Sequence, residues 1–410
     1  MNRKNGINML DVKMGNRSAI LELIYRSKGI PRKDIAKALG LTPAAITLIT
    51  NDLINEGILI EADTRVSAGR GRKEILLEID SHKYASIGVS ITRHHFELIC
   101  IDLSCKILFQ KMYKTSGLHH DAGKILACIA EEIRTSILHA DFLAGRQVLG
   151  IGASTLGVVD SKKGISVNSY GVFEGGSTDI RGYFEKELNL PVILTNNICA
   201  CAHGEAFLSN FEQRQELLFI KYGPGIGSAL LKSNDHFSVQ DYTAVQIGHV
   251  IMDPNGRPCI CGNQGCLETI ISYDSIIHSI SDLVSERLTP ELDALVKQDP
   301  ENLNMKSIME SYDLGNPIIT AEIDRVIFYL VIAIKNAITL LNPESVILYG
   351  ELFENLKFRR KLVQQLSAFT KTQKVAFSDF NLGLETLGPA TTMISSFLLS
   401  GGDLSNRKDN

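Results

Sequence analysis

The densest chemistry in the sequence lies between Gly248 and Glu268. Gly248-His249 is followed, after nine residues, by Cys259-Ile260-Cys261-Gly262-Asn263-Gln264-Gly265-Cys266-Leu267-Glu268. Three thiolates and one imidazole have the number and softness of a closed tetrahedral zinc site, and Gly262 and Gly265 let the backbone turn tightly enough for the sulfurs to converge. Ordering so irregular a loop is costly, and a bound metal offsets that cost. His249, Cys259, Cys261 and Cys266 are therefore read as ligands of a structural Zn2+. The other cysteines do not extend the set. Cys199 and Cys201 sit among small residues at a helix start and read as inert buried thiols, while Cys100, Cys105 and Cys128 fall in strands or a helix. Eight cysteines in 410 residues, three of them crowded between 259 and 266, favour metal over a disulfide framework and fit a reducing compartment.

A second kind of chemistry sits at the N-terminus. The chain carries a formal charge of -4, yet its first 73 residues hold 13 Lys and Arg against seven Asp and Glu, leaving the remainder strongly acidic. A basic module on an acidic body suits a protein of which one part meets phosphate. From Asn16, Ile20, Leu23 and Ile24 recur at helical spacing up to Gly29 and Pro31. Ile35, Ala36 and Leu39 mark a short second helix that Gly40 stops, and Thr42 caps a third with Pro43 at its first position and Ile46, Ile49, Leu53 and Ile54 inside. Gly57 ends it. Two strands, 58–62 and 74–79, flank the loop 67–73 and complete a winged helix-turn-helix. In such a module Thr42, Pro43, Ala44, Ala45, Thr47, Leu48, Thr50 and Asn51 lie in the major groove of operator DNA, and Arg70 and Arg72 enter a minor groove.

These groups need a scaffold, and the rest of the chain reads as two α/β lobes. Strands are expected at 84–91, 96–103 and 107–113, a helix at 122–142 and a strand at 148–154. A second half follows with strands at 217–222 and 228–232 around the glycine-rich turn 223–227, then helices, then a strand at 345–349. The expected division is a DNA-binding domain at 1–80, a first lobe at 81–198, a second lobe at 199–400 with the zinc motif and oligomerisation helices, and a polar tail at 401–410. Residues 318–341 are apolar but interrupted by Glu322, Asp324, Arg325 and Lys335, which gives a buried or interface helix. With no run of about 18 uninterrupted apolar residues and no apolar signal core in residues 1–15, a cytoplasmic protein is expected.

The winged head, the two-lobed α/β body and the run from Gly248 to Glu268 together resemble the ROK family of repressors and sugar kinases over nearly the whole chain. The resemblance implies an actin-like, ribonuclease H-like body and places the chain beside the family's repressors of sugar metabolism. The family's kinases use Asp-x-Gly-x-Thr to cradle phosphate, where this sequence has Gly88-Val89-Ser90-Ile91-Thr92-Arg93. Their catalytic base is the Asp of a Glu-Asn-Asp segment, matched here by Thr195-Asn196-Asn197, and an amide cannot take that proton. Pro224 replaces a threonine in the second phosphate loop, and Tyr349-Gly350-Glu351 departs from a Gly-Gly turn. With Ser90 and Asn197 at the two Asp positions, no catalytic residue and no nucleotide are expected. By position Asn196, Asn197, His249 and Glu268 match sugar-contacting residues, with Gln246 in place of a glutamate; Asn and Gln can still donate to and accept from hydroxyls.

The expectation is thus a DNA-binding regulator, a repressor of carbohydrate-metabolism genes. It would be controlled by a sugar or sugar derivative in the interlobe cleft and act as a homodimer or tetramer on operator DNA, away from the membrane. Two alternatives stay open at this level: an ATP-dependent sugar kinase with an accessory DNA-binding head, and a regulator governed by a partner protein.

Overall fold

The computed structural model describes residues 9–65, 74–209, 216–231, 238, 242–285, 294, 303–367, 373–380 and 383–403. They form two compact units, the first comprising 1–211, 236–240 and 384–410, the second 212–235 and 241–383.

The first unit opens with α1 (Met9–Ser27), β1 (Ile30–Pro31), α2 (Arg32–Leu39) and α3 (Pro43–Asn55), followed by β2 (Leu59–Arg65) and β3 (Glu74–Ile79). Local chemistry explains the breaks. Gly40 ends α2 in the left-handed region at φ 65°, and the Thr42 side chain accepts from the Ala45 amide at 3.2 Å, with Pro43 next, to start α3. β2 and β3 pair antiparallel, and β1 joins β3 on its other side. Among the described residues the first helix is already formed at Met9, ahead of Asn16, and runs through Gly15 at the cost that one glycine in a helix imposes.

The sheet of this unit follows: β4 (Tyr84–Ile91), β5 (His95–Asp102), β6 (Ile107–Lys114), α4 (Ala122–Ile133), β7 (Gln147–Thr155), the small strands β8 (Val158–Asp160), β9 (Ile165–Asn168) and β10 (Thr178–Asp179), then α5 (Ile180–Leu188), β11 (Val192–Asn196) and α6 (Asn197–Leu208). The helix expected over 122–142 stops at Ile133 and continues as a π-turn over Arg134–Leu138 and a 3-10 turn over Asp141–Leu143. Cys105, expected in a regular element, lies instead in the turn between β5 and β6 with φ 64°.

The second unit contains β12 (Leu217–Tyr222), β13 (Ile226–Leu231), β14 (Tyr242–Val245), α7 (Leu267–Ile271), α8 (Tyr273–Ser285), α9 (Met305–Asp313), α10 (Pro317–Leu341), β15 (Ser345–Tyr349), α11 (Leu356–Ser367) and β16 (Lys374–Phe377). The last helix, α12 (Leu384–Leu399), returns to the first unit.

The five-stranded sheets repeat one topology. Their orders are β6-β5-β4-β7-β11 and β14-β13-β12-β15-β16, each an antiparallel meander of three strands joined to two parallel ones. This duplication is the two-lobed, actin-like body. The interior strands β4 and β15 are buried along their whole length, as strands covered on both faces must be. The α10 helix buries Ile319, Ile323, Ile327, Leu330 and Ile334 and leaves Phe328 and Leu340 exposed. Among the described residues no helix is long and apolar enough to cross a membrane.

The division between the units differs from the expected one. A boundary at 198 would cut α6, and α12 belongs with the first sheet rather than with the second lobe. Two glycines show how closely α12 lies there. A Cβ on Gly152 of β7 would sit 1.8 Å from the Pro389 carbonyl oxygen, and one on Gly388 would sit 2.2 Å from the Ala200 oxygen of α6. Gly388→Ala is therefore expected to destabilise the protein by about 1–3 kcal/mol, as overpacking of a tight core does, read as a lower denaturant midpoint at unchanged slope.

Candidate functional site

The DNA-reading candidates sit on α3. Its inner face, Ile46, Ile49 and Leu53, is buried with Ile20, Leu21 and Ile24 of α1 and with Phe397 and Leu398 of α12 in one continuous core. The outer face is left open: Thr42, Pro43, Ala44, Thr47, Leu48 and Asn51 are exposed, and Ala45 is half-buried. Leu48 is 66% exposed, an apolar side chain on a polar face that suits contact with a thymine methyl. Thr50 does not belong to this face. It is fully buried and accepts from Arg32 Nε at 3.0 Å, because at this position the helical period has turned the side chain inward.

Arg32, at the first turn of α2, was not legible as functional from the sequence. Its guanidinium reaches Thr50, Glu61 at 2.8 Å and the Asn51 Oδ1 at 3.2 Å, so it sets the orientation of Asn51. An amide oxygen has two lone pairs, and the second remains available with the Nδ2 donors for the N6/N7 major-groove edge of an adenine. Arg70 and Arg72 lie outside the described residues.

The metal candidates converge. A 3-10 turn, Ile247–His249, delivers His249 after β14, and α7 starts directly after Cys266. Between them the chain folds back on itself through the bridges Ile251 with Cys266 and Pro258 with Gln264, and Cys259 N donates to Asn263 O at 2.8 Å. Gly265 stands at φ 68°, and a Cβ there would lie 1.5 Å from the Asp253 oxygen, so no other residue fits this turn.

The four ligand atoms lie within 4.8 Å of one another. Cys261 Sγ is 3.6 Å from Cys266 Sγ, and Cys259 Sγ is 3.5 Å from His249 Nδ1. A tetrahedral zinc with ordinary bond lengths requires edges of about 3.8 Å between sulfurs and about 3.6 Å between sulfur and nitrogen. The donor set therefore fits such an ion.

Ionising all three thiols together would call for a cation. Burial pushes Cys266 up to about 12, with the Cys261 and Cys259 thiols adding to the rise, and burial likewise raises Cys259. Burial acts in the same sense on Cys261, but hydrogen bonds from the Asn263 amide and from the neighbouring thiols bring it below its usual value. A divalent ion is what lets all three ionise together.

The sugar candidates are divided: Asn196 and Asn197 belong to the first unit, Gln246, His249 and Glu268 to the second. Asn196 is committed to structure. Its Oδ1 accepts from the Ile198 and Cys199 amides and its Nδ2 donates to Gly157 O at 2.7 Å. Asn197 is half-buried and makes no side-chain hydrogen bond among the described residues. Gln246 is exposed.

Glu268 Oε2 accepts from the Ile226 amide at 3.2 Å, so a carboxylate occupies an N–H of the second glycine loop. Gly223 N donates to Gly225 O in the same loop. At the other loop, Ser90 is buried on β4 and the following turn closes on itself, with Thr92 bonded to His95 O and Arg93 donating to Tyr170 O at 2.7 Å.

The ROK family model matches residues 86–386, and a winged helix-turn-helix DNA-binding model matches residues 15–60. The chain belongs to the ROK family. A winged head on this ROK body makes it a DNA-binding transcriptional regulator. It is 25% identical over 395 residues to the xylose repressor of Caldicellulosiruptor bescii, covering 94% of this chain and 97% of that one. It is also 25% identical over 355 residues to the transcriptional dual regulator NagC of Escherichia coli, covering 84% and 82%. Among solved structures, a ROK family transcriptional regulator described as a homologue of the E. coli MLC protein superposes with a TM-score of 0.77 at 23% identity, over 95% of this chain and 98% of that one. A ROK family glucokinase from Streptomyces griseus, solved with glucose and AMPPNP, gives 0.62 at 19% identity over 75% and 98%. These two likenesses establish the shared fold of the body.

Proposed function

We propose that this ROK protein represses genes of carbohydrate metabolism and that a sugar or sugar derivative sets its hold on operator DNA. The observation that carries the reading is the exposed face of α3 on a core shared with a ROK body. The names of the relatives, a xylose repressor and NagC, point the same way. Asn197, Gln246, His249 and Glu268 are the proposed sugar-contacting residues, with Asn196 shaping the site as the cap of α6. A structural Zn2+ on His249, Cys259, Cys261 and Cys266 would hold the loop that joins His249 to Glu268 at the start of α7. The acting unit is a homodimer, or a tetramer built from it, because two heads reading half-sites one helical turn apart need two-fold symmetry.

The protein is not an enzyme in this reading. A kinase needs a base for the sugar hydroxyl and a cradle for phosphate. Asn197 cannot accept the proton, the turn after Ser90 is closed by its own hydrogen bonds, and the Glu268 carboxylate repels phosphate from the amide it already occupies.

The test uses a duplex selected from a random pool by the full-length protein, titrated by fluorescence anisotropy with pentoses, hexoses, amino sugars and their phosphates. One sugar class is expected to change the DNA affinity by about 5- to 150-fold, the usual size of an allosteric coupling. ATP turnover with the same sugars is expected to match a protein-free blank. DNA affinity unchanged by every sugar would overturn the effector reading, and sugar-dependent ATP turnover would overturn the non-enzyme one.

A further inference from the structure

Arg17, on α1, is 6% exposed, a place in which a guanidinium is rarely found without firm partners. Its Nε donates to Gly401 O at 2.7 Å, its Nη1 to Glu56 Oε1 at 2.9 Å and its Nη2 to Glu56 Oε2. The two partners are helix ends. Glu56 is the C-cap of the recognition helix α3. Gly401 and Gly402 close α12, with Gly402 N bonded to Phe397 O and Gly401 N to Leu398 O, which is the paired pattern of a glycine-terminated helix. Both glycines have left-handed φ, 65° and 83°, so the carbonyl that meets Arg17 is presented by a backbone fixed in one conformation.

The other side of α12 leads to α6. His203, fully buried, places Nδ1 3.0 Å from Thr391 Oγ1, a hydroxyl that also lies 2.8 Å from Gly388 O within α12. One turn later Phe207 stacks on His203 with ring centroids 5.6 Å apart and packs tilted against Tyr25 of α1 at 4.9 Å. At its start α6 is capped by Asn196 and carries Asn197. One rigid helix thus has a proposed sugar contact at its beginning and touches both α12 and the head further along.

We propose that Arg17 is a positioning residue for DNA recognition, clamping the end of α3 to the end of α12 so that α6, α12 and the DNA-reading face move together. The clamp needs only that the head binds duplex DNA. Its use by a sugar rests on the function proposed above.

The probe is the duplex selected by the full-length protein, and the readout is amide hydrogen exchange in 197–208 and 384–400. By reciprocity, DNA on α3 must be felt at α6 and α12. In the wild type a saturating duplex is expected to slow exchange there by at least about threefold, and in Arg17→Gln, also saturated, by less than half as much. Lys13→Gln, which removes an exposed pair with Asp52 on the same helix, is expected to behave as wild type. Should Arg17→Gln fail to melt cooperatively, Glu56→Gln keeps the Gly401 bond, loses the paired charge and is expected to reduce the signal. Equal slowing in wild type and clamp variants, or no slowing in the wild type, would overturn the proposal. A wild type that passes this test but ignores every sugar would overturn the effector reading alone.

Discussion

Replacing Cys261 by alanine is expected to cut zinc in the purified protein from about one equivalent per chain to below about a tenth, since a three-ligand remnant opens to water and exchanges its metal. Cys261 Sγ stands 3.6 Å from Cys266 Sγ, so its loss removes one edge of the tetrahedron. The fold of the second unit is expected to survive, because its sheet and α10 share a large buried core in which most members lie far from this loop in sequence. Order between 250 and 266 is not, since the segment has few backbone bonds beyond those tying Met252, Asp253, Cys259 and Gly265. Limited proteolysis should therefore cut in this loop in the variant and not in the zinc-loaded wild type. DNA affinity without sugar should hold, as the head belongs to the other unit, while the sugar response disappears with the placement of His249 and Glu268. Cys128→Ser, on α4 and outside the set, is expected to keep its zinc. A Cys261→Ala protein with full zinc content would refute the assigned ligand set.

The second large effect concerns the reading face. Asn51→Ala and Leu48→Ala are each expected to weaken binding to the selected duplex by about 1–3 kcal/mol, roughly 5- to 150-fold, with affinity for random duplex and the salt dependence nearly unchanged. Both side chains are exposed on α3, and neither belongs to the core, so the melting temperature should stay within a degree or two of wild type by the usual behaviour of surface substitutions. Competition binding against random duplex, repeated at several salt concentrations, separates the outcomes. Equal losses on selected and random DNA would mean that these residues act on the backbone and not on bases.

Much of this was legible because it is local. Thr42-Pro43 starts a helix by capping chemistry, Gly40 stops one by its freedom at positive φ, and the thiol and imidazole spacing around Gly262 and Gly265 specifies a convergent site. The strands expected at 84–91 and 345–349 stand at those bounds as β4 and β15. What was missed depends on contacts distant in sequence. The return of α12 to the first sheet is specified by Gly152 and Gly388, whose role appears only when the Pro389 and Ala200 carbonyls arrive beside them. Thr50 looked like its neighbours on α3 until Arg32, from another helix, was found bonded to it. Asn196 looked like a free sugar contact, and its amide turned out to be committed to the α6 cap and to Gly157. The positive φ of Cys105 is likewise a property of its turn and not of its side chain.

In the function proposed here, a sugar site and a DNA-reading face share one equilibrium. Linkage makes this measurable from either end, since the factor by which a sugar changes DNA affinity must equal the factor by which DNA changes sugar affinity. Isothermal calorimetry of the zinc-loaded full-length protein against the responsive sugar, with and without saturating duplex, reads it directly. The expected result is a sugar affinity altered about 5- to 150-fold by the duplex, in agreement with the anisotropy titration. A sugar that binds equally well with and without DNA would contradict it.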